Sequence, residues 1–305
     1  MKLFSINKDV LEEVDAIPFP LEKDIQGLIE KNVNTIFGLT FIQSELSVDK
    51  YRIDTLCYDE ENNSFVIIEY KKGSSYSVID QGFTYLQLLL NSKHFFIHTL
   101  SHFLGKVINL SDVDWSQSRI IFISPSFTSF QRDSVNFRDL PFELWEIQRY
   151  SNNSVVLSQL LANSKVSIDS LSTSTSNSTI TQVSREVKVY SEDKHLEYGT
   201  IELNDIYSEV RNRIIELGSD VEIVPRKEYV GFKRRSNFVD IEFQKKKLLV
   251  FINLKKGELD DPKGISRDVS TVGHRGNGDY EFPLTVDSDI DYLMFLVKQS
   301  YKKRG

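Results

Sequence analysis

Three side chains stand where an apolar strand would ordinarily continue: Asp54 in Arg52-Ile53-Asp54, then Glu69 and Lys71 in Ile67-Ile68-Glu69-Tyr70-Lys71. Charges inside such strands are costly unless they are paired or bound to a metal ion. Two carboxylates converging on one point supply the hard oxygen ligands that magnesium or manganese prefers. An adjacent ammonium can stabilise negative charge or position an attacking water. That is the inventory of a phosphodiesterase.

The elements that must position these groups can be read from periodicity. Leu21, Ile25, Leu28, Ile29 and Val33 recur at helical spacing after Pro18 and Pro20, predicting a helix over 21–37 that ends at Gly38. Its polar face carries Glu22, Gln26 and Glu30 four residues apart, a stripe that reads mainly as a solvated face. Strands are expected over 39–46, 51–58 and 64–71, with a hairpin turn at 59–63. Side chains alternate along a strand, so Glu69 and Lys71 share a face and the hairpin can bring Asp54 alongside Glu69. A Leu-rich helix over 76–90, a strand-like or helical stretch over 95–104, a strand over 119–124, a short helix within 125–137 and a final strand over 142–149 follow. The order is αβββαβ with additions. In the second helix Gln81 and Tyr85 lie on one face. The alternative for that pair is an amphipathic helix whose Gln meets water and whose Tyr packs. Cys57 reads as a small buried hydrophobe, and His94, His98 and His102 as parts of a mixed core segment rather than a metal site.

The order Asp54, then Glu69-x-Lys71 across a hairpin, resembles the PD-(D/E)XK, or restriction-endonuclease-like, nuclease superfamily over roughly residues 20–125. Gln81-x-x-x-Tyr85 resembles a motif that some branches place beside the active site. The resemblance implies an α/β N-terminal core with a mixed sheet and Mg2+ or Mn2+ as cofactor. It implies that Asp54 and Glu69 ligate the metal, with the Tyr70 carbonyl joining them and Glu22 contributing from the first helix. Lys71 would act on the nucleophilic water or the scissile phosphate, with Gln81 and Tyr85 as catalytic neighbours. Ile53 stands where the signature has proline.

Residues 161–190 turn to Ser, Thr and Asn, a composition that cannot bury a core, and read as a linker between a domain over 1–160 and another over 191–305. The second domain reads as α+β with a mostly antiparallel sheet: a helix over 203–217, strands over 221–224, 228–233, 238–243, 247–254 and 280–284, and a terminal helix over 288–301. It resembles an uncharacterised domain often joined to nuclease-like halves. Between Ile223 and Arg275 there are 13 Lys or Arg against 7 Asp or Glu, clustered at Lys233-Arg234-Arg235 and elsewhere. A glycine-rich loop adds Arg267, His274 and Arg275. These form a candidate nucleic-acid-binding surface, with solvated lysine-rich turns as the alternative.

A net charge of −7 over 305 residues argues against coating nucleic acid by an overall field, and a single cysteine excludes an internal disulfide. With no run of about 18 apolar residues, a cytoplasmic protein without membrane contact is expected. The expected function is a metal-dependent deoxyribonuclease acting on DNA in repair or in defence against foreign DNA. The alternative is an inactive nuclease fold serving as a nucleic-acid-binding or regulatory module. Beside DNA, the partners expected of the protein are a second copy of itself (a homo-oligomer) or another protein.

Overall fold

The computed structural model describes residues 2–72, 78–136, 140–161 and 183–304. The chain forms two compact units, Met1–Val189 and Tyr190–Gly305.

The first unit is built on a mixed sheet. Helix α1, Glu22–Phe37, ends at Gly38, which takes the left-handed conformation (φ 69°) that favours glycine. The chain then runs antiparallel through β4 (Thr40–Val48), β5 (Tyr51–Asp59) and β6 (Ser64–Tyr70). Helices α2 (Val78–Asn91) and α3 (Lys93–Leu104) cross over to β7 (Arg119–Ser124), which joins β6 in parallel. A short helix α4 (Ser129–Ser134) leads to β8 (Phe142–Tyr150), parallel to β7, and β9 (Val155–Leu160) returns antiparallel. The strand β3, Ala16–Ile17, also pairs with β8. The sheet separates two hydrophobic clusters. Ile25, Ile29, Val33 and Phe37 of α1 pack on Cys57, Val66, Ile68 and Tyr70. Residues of α2 and α3 pack on Leu56, Phe65 and Ile67. Cys57 is fully buried and its thiol is pushed up to about 12 by desolvation, which leaves it inert.

The segment over 95–104, which the sequence left open between strand and helix, is helical. Two features depart from the expected layout. Strand β9 follows what was expected to be the final strand. The N-terminal residues form a separate hairpin, β1 (Leu3–Asn7) with β2 (Val10–Val14), whose turn residues Lys8 and Asp9 both have positive φ. Residues 162–182 of the expected linker lie outside the described residues. Beyond them Val183 and Val187 are buried in the first unit's core, so the boundary at 189–190 follows a segment that still packs.

The second unit opens with a short helix α5 (Glu192–Leu196) and α6 (Ile201–Ile215). An antiparallel sheet follows, with β10 (Glu222–Pro225), β11 (Val230–Lys233), β12 (Asn237–Phe243), β13 (Leu248–Ile252), β14 (Arg267–Asp268) and β15 (Tyr280–Leu284) in the order β10-β11-β12-β13-β15-β14. Helix α7 (Ile290–Arg304) closes the chain and packs with α6 on one sheet face through Leu203, Tyr207, Val210, Leu293 and Leu296. On the other face Asp240 is fully buried. Its carboxylate accepts the Asn277 backbone N–H (2.8 Å) and the side-chain amides of Asn277 (2.9 Å), Asn237 (2.8 Å) and Asn253 (3.1 Å). Burial raises its pKa while the four amides oppose the rise. This contact pins the glycine-rich loop against the sheet, so close that a Cβ on Gly278 would sit 2.0 Å from the Ile252 carbonyl oxygen. A backbone atom cannot swing aside as a side chain can. Gly278→Ala should therefore destabilise the second unit by about 1–3 kcal/mol, read from urea unfolding followed by circular dichroism.

Candidate active site

Strand β6 is buried along its whole length, and Glu69 near its end is only 3% exposed. Glu69 Oε1 accepts two donors, Lys71 Nζ at 2.8 Å and Gln81 Nε2 at 2.6 Å, and the Tyr85 hydroxyl oxygen lies 3.4 Å away. Gln81 also donates to the Tyr85 oxygen (3.1 Å), and Tyr85 donates to the Arg52 carbonyl (3.0 Å). The four-residue spacing on α2 thus presents an amide and a phenol together at the end of β6, as the sequence led us to expect. Glu69 Oε2 is buried without a hydrogen-bond partner. A carboxylate oxygen kept from water in this way calls for a cation or a proton. Desolvation, then the nearby Asp54 charge, push the Glu69 carboxyl up to about 7, against the pull of Lys71 and Gln81.

Asp54 sits where the hairpin ladder stops, the last β5–β6 pair being Thr55 with Ile68. Its Oδ2 accepts the Tyr70 backbone N–H at 3.1 Å. Burial raises its pKa, the Tyr70 N–H and Lys71 lower it, and Glu22 and Glu45 raise it through like charge. The Lys71 backbone is fixed by its N–H donating to the Ile123 carbonyl of β7 (2.9 Å). Asp54, Glu69, Lys71, Gln81 and Tyr85 are therefore gathered at one end of the sheet.

Glu22 stands near enough to act on Asp54 by charge but does not complete a three-carboxylate cluster with Asp54 and Glu69. It lies exposed in the first turn of α1, and among the described residues no group of three or more His, Cys, Asp or Glu side chains assembles as a metal cage. The donors that could hold a cation are Asp54 and Glu69. Two carboxylates suit magnesium or manganese, which keep several waters of their own, and the unpartnered Glu69 Oε2 fits such an ion. The α1 stripe also corrects a reading. Gln26 is buried and Glu30 half-buried, and together they form hydrogen bonds to Ser44, the Asp54 carbonyl and Thr55.

The expected basic surface of the second unit is largely neutralised within the fold. Arg234 pairs with Asp220 (2.6 Å) and lies over the Tyr301 ring, Arg267 pairs with Glu281 (3.1 Å), and Arg275 bridges Glu228 (3.0 Å) and Glu242 (3.5 Å). His274 stacks on Phe251. Lys233 is half-buried and also has an interaction partner, and Arg235 is exposed. Asp220 and Glu281 lie just outside the counted stretch, and Glu228 and Glu242 lie within it but far along the chain from Arg275, so a charge count could not show which cations are paired.

The first unit thus has a mixed sheet with a buried carboxylate–lysine pair and an adjoining aspartate. The second is an antiparallel sheet with two helices on one face, and residues 192–303 match the family model described as a domain of unknown function, DUF5655. The chain belongs to the family of a Haemophilus influenzae protein described as "Uncharacterized protein", to which it is 42% identical over 302 residues, covering 99% of this chain and 100% of that one. Solved structures with local likeness include a repair endonuclease from Pyrococcus abyssi (19% identity, TM-score 0.22, 39% of this chain and 44% of that one). An EndoMS–dsDNA complex (19%, TM-score 0.24, 48% and 60%) is another. A third is Pyrococcus furiosus SfsA in complex with Ca2+ (15%, TM-score 0.24, 45% and 64%). The chain spans less than two thirds of each of these three. Among the described residues no helix is long and apolar enough to cross a membrane.

Proposed function

We propose that the first unit is a restriction-endonuclease-like, PD-(D/E)XK-type nuclease that hydrolyses DNA phosphodiester bonds with magnesium or manganese, in repair or in defence against foreign DNA. The observation that carries this reading is the buried Glu69 carboxylate, held on one oxygen by Lys71 and Gln81 and unpartnered on the other, with Asp54 beside it.

Each residue has a distinct task. Asp54, fixed by the Tyr70 N–H, and Glu69 present the oxygens that hold the ion. A bound divalent cation would stabilise charge on the phosphate and favour ionisation of a water. Lys71 stands within reach of that point, where its ammonium can orient the attacking water or a phosphate oxygen. Its bond to Glu69 sets where Nζ points. Gln81 holds Glu69, and Tyr85 ties the group to the Arg52 backbone, so the constellation is preorganised before substrate arrives.

Asp54→Ala and Lys71→Met are each expected to lower cleavage by about 100- to 1,000-fold, in line with losses on removing one electrostatic stabiliser. The assay uses single-stranded, branched and duplex DNA with Mg2+ or Mn2+, and metal-free DNA affinity should stay within about threefold. Cleavage that survives Asp54→Ala would overturn the site, and wild-type binding without cleavage would favour a nucleic-acid-binding module that has lost turnover.

A further inference from the structure

The backbone at Asp54 lacks the support that a strand residue ordinarily receives. On the β4 side the register passes from Ser44↔Thr55 to Leu46↔Ile53, and Glu45 between them turns out with φ 51°. On the β6 side the ladder ends at Thr55. A metal-binding carboxylate must nevertheless be held to within about half an ångström.

We propose that Gln26 is a positioning residue of this site, fixing Asp54 from the α1 side of the sheet. The inference rests on the nuclease reading above. Gln26 is buried, and its Nε2 lies 3.1 Å from the Asp54 carbonyl, 3.1 Å from Ser44 Oγ and 3.0 Å from Glu30 Oε1. Glu30 is itself anchored, because its Oε1 accepts the Thr55 hydroxyl at 2.6 Å. Thr55 has one proton to give and spends it there, so the Tyr70 hydroxyl, 3.2 Å away, donates to Thr55. The chain of bonds therefore runs Tyr70, Thr55, Glu30, Gln26, Asp54. It starts on the residue whose own backbone N–H grips the Asp54 carboxylate. Asp54 is thus held at both ends, its carboxylate by β6 and its carbonyl by α1, and the two holds are joined through the buried hydroxyls of Thr55 and Tyr70.

The test uses the full chain. Gln26→Leu keeps the apolar bulk and removes both donors. Its kcat on duplex DNA is expected to fall 10- to 100-fold and its Mn2+ half-saturation, read by electron paramagnetic resonance without DNA, to rise about tenfold, with KM for DNA within threefold of wild type. Gln26→Glu adds a second variant of nearly the same shape, with kcat corrected at each pH for the folded fraction read by Trp fluorescence, so that repulsion from Glu30 is separated from positioning. Its carboxyl can donate to the Asp54 carbonyl only when protonated, so its kcat relative to wild type should be higher at pH 5.5 than at pH 8. A folded Gln26→Leu variant with kcat and Mn2+ half-saturation within twofold of wild type would overturn the inference while leaving the nuclease standing. If Gln26→Leu does not fold, the Gln26→Glu ratio decides, and a ratio independent of pH overturns it. Wild-type protein that neither binds Mn2+ nor cleaves DNA would overturn the nuclease reading and this inference with it.

Discussion

Replacing Glu69 by Gln is expected to abolish metal-dependent cleavage and, in the same protein, to flatten the pH dependence of folding stability between about pH 5 and 8. The carboxyl titrates near 4.5 when unperturbed and at about 7 in the folded chain. A group whose pKa is raised by folding holds its proton more tightly in the native state. Its contribution is therefore complete below pH 4.5 and is lost as the pH rises through about 7. At about 1.4 kcal/mol per unit, the wild-type first unit should lose on the order of 3 kcal/mol across that window. Asp54, also raised, acts with the same sign. Both tryptophans, Trp115 and Trp145, lie in the first unit, so urea unfolding followed by Trp fluorescence isolates it from the second. The difference in unfolding free energy between wild type and Glu69→Gln should shift in the variant's favour from pH 5 to about pH 7 and level off by pH 8. A difference that does not change with pH would show that Glu69 is ordinarily ionised and well solvated. The site would then lack the desolvated carboxylate assigned to it.

The second large effect lies in the other unit. Asp240→Ala is expected to destabilise it by about 3–5 kcal/mol, because four amide donors lose the one buried carboxylate they share. Asp240→Asn should cost less than Ala, since one oxygen still accepts, but it places an NH2 group against donors. The expected signature is an earlier urea transition by circular dichroism with an unshifted Trp fluorescence transition. A fluorescence midpoint that moves by as much would mean that the two units unfold together. A circular-dichroism midpoint within the error of wild type would mean that the glycine loop is held by other contacts.

Much of this was legible in the sequence where the signal was local. The first helix with Gly38 after it, the hairpin carrying Asp54 and Glu69, and the Gln81–Tyr85 face all follow from periodicities and turn residues within a dozen positions. What could not be read depended on distant partners. Gln26 and Glu30 look like any polar stripe until Thr55 and Ser44 are brought under them. Arg234, Arg267 and Arg275 look like a free basic surface until Asp220, Glu281 and Glu228 meet them. The N-terminal hairpin turns at Lys8-Asp9 without the glycine or asparagine that would announce it. Val183 and Val187 enter the core from a stretch with no periodicity to mark them.

The two neighbours of β6 differ in how far along the chain they lie. Its antiparallel partner β5 is joined by a tight turn, whereas its parallel partner β7 returns only after two helices. Closing a chain segment costs more entropy the longer it is, and native pairings across short loops form sooner. The Asp54–Glu69 half of the site thus belongs to the locally closed part of the topology. The Lys71 backbone, bonded to Ile123, belongs to the part closed over long range. A nascent chain can bring its two acids together well before β7 arrives to fix the lysine backbone.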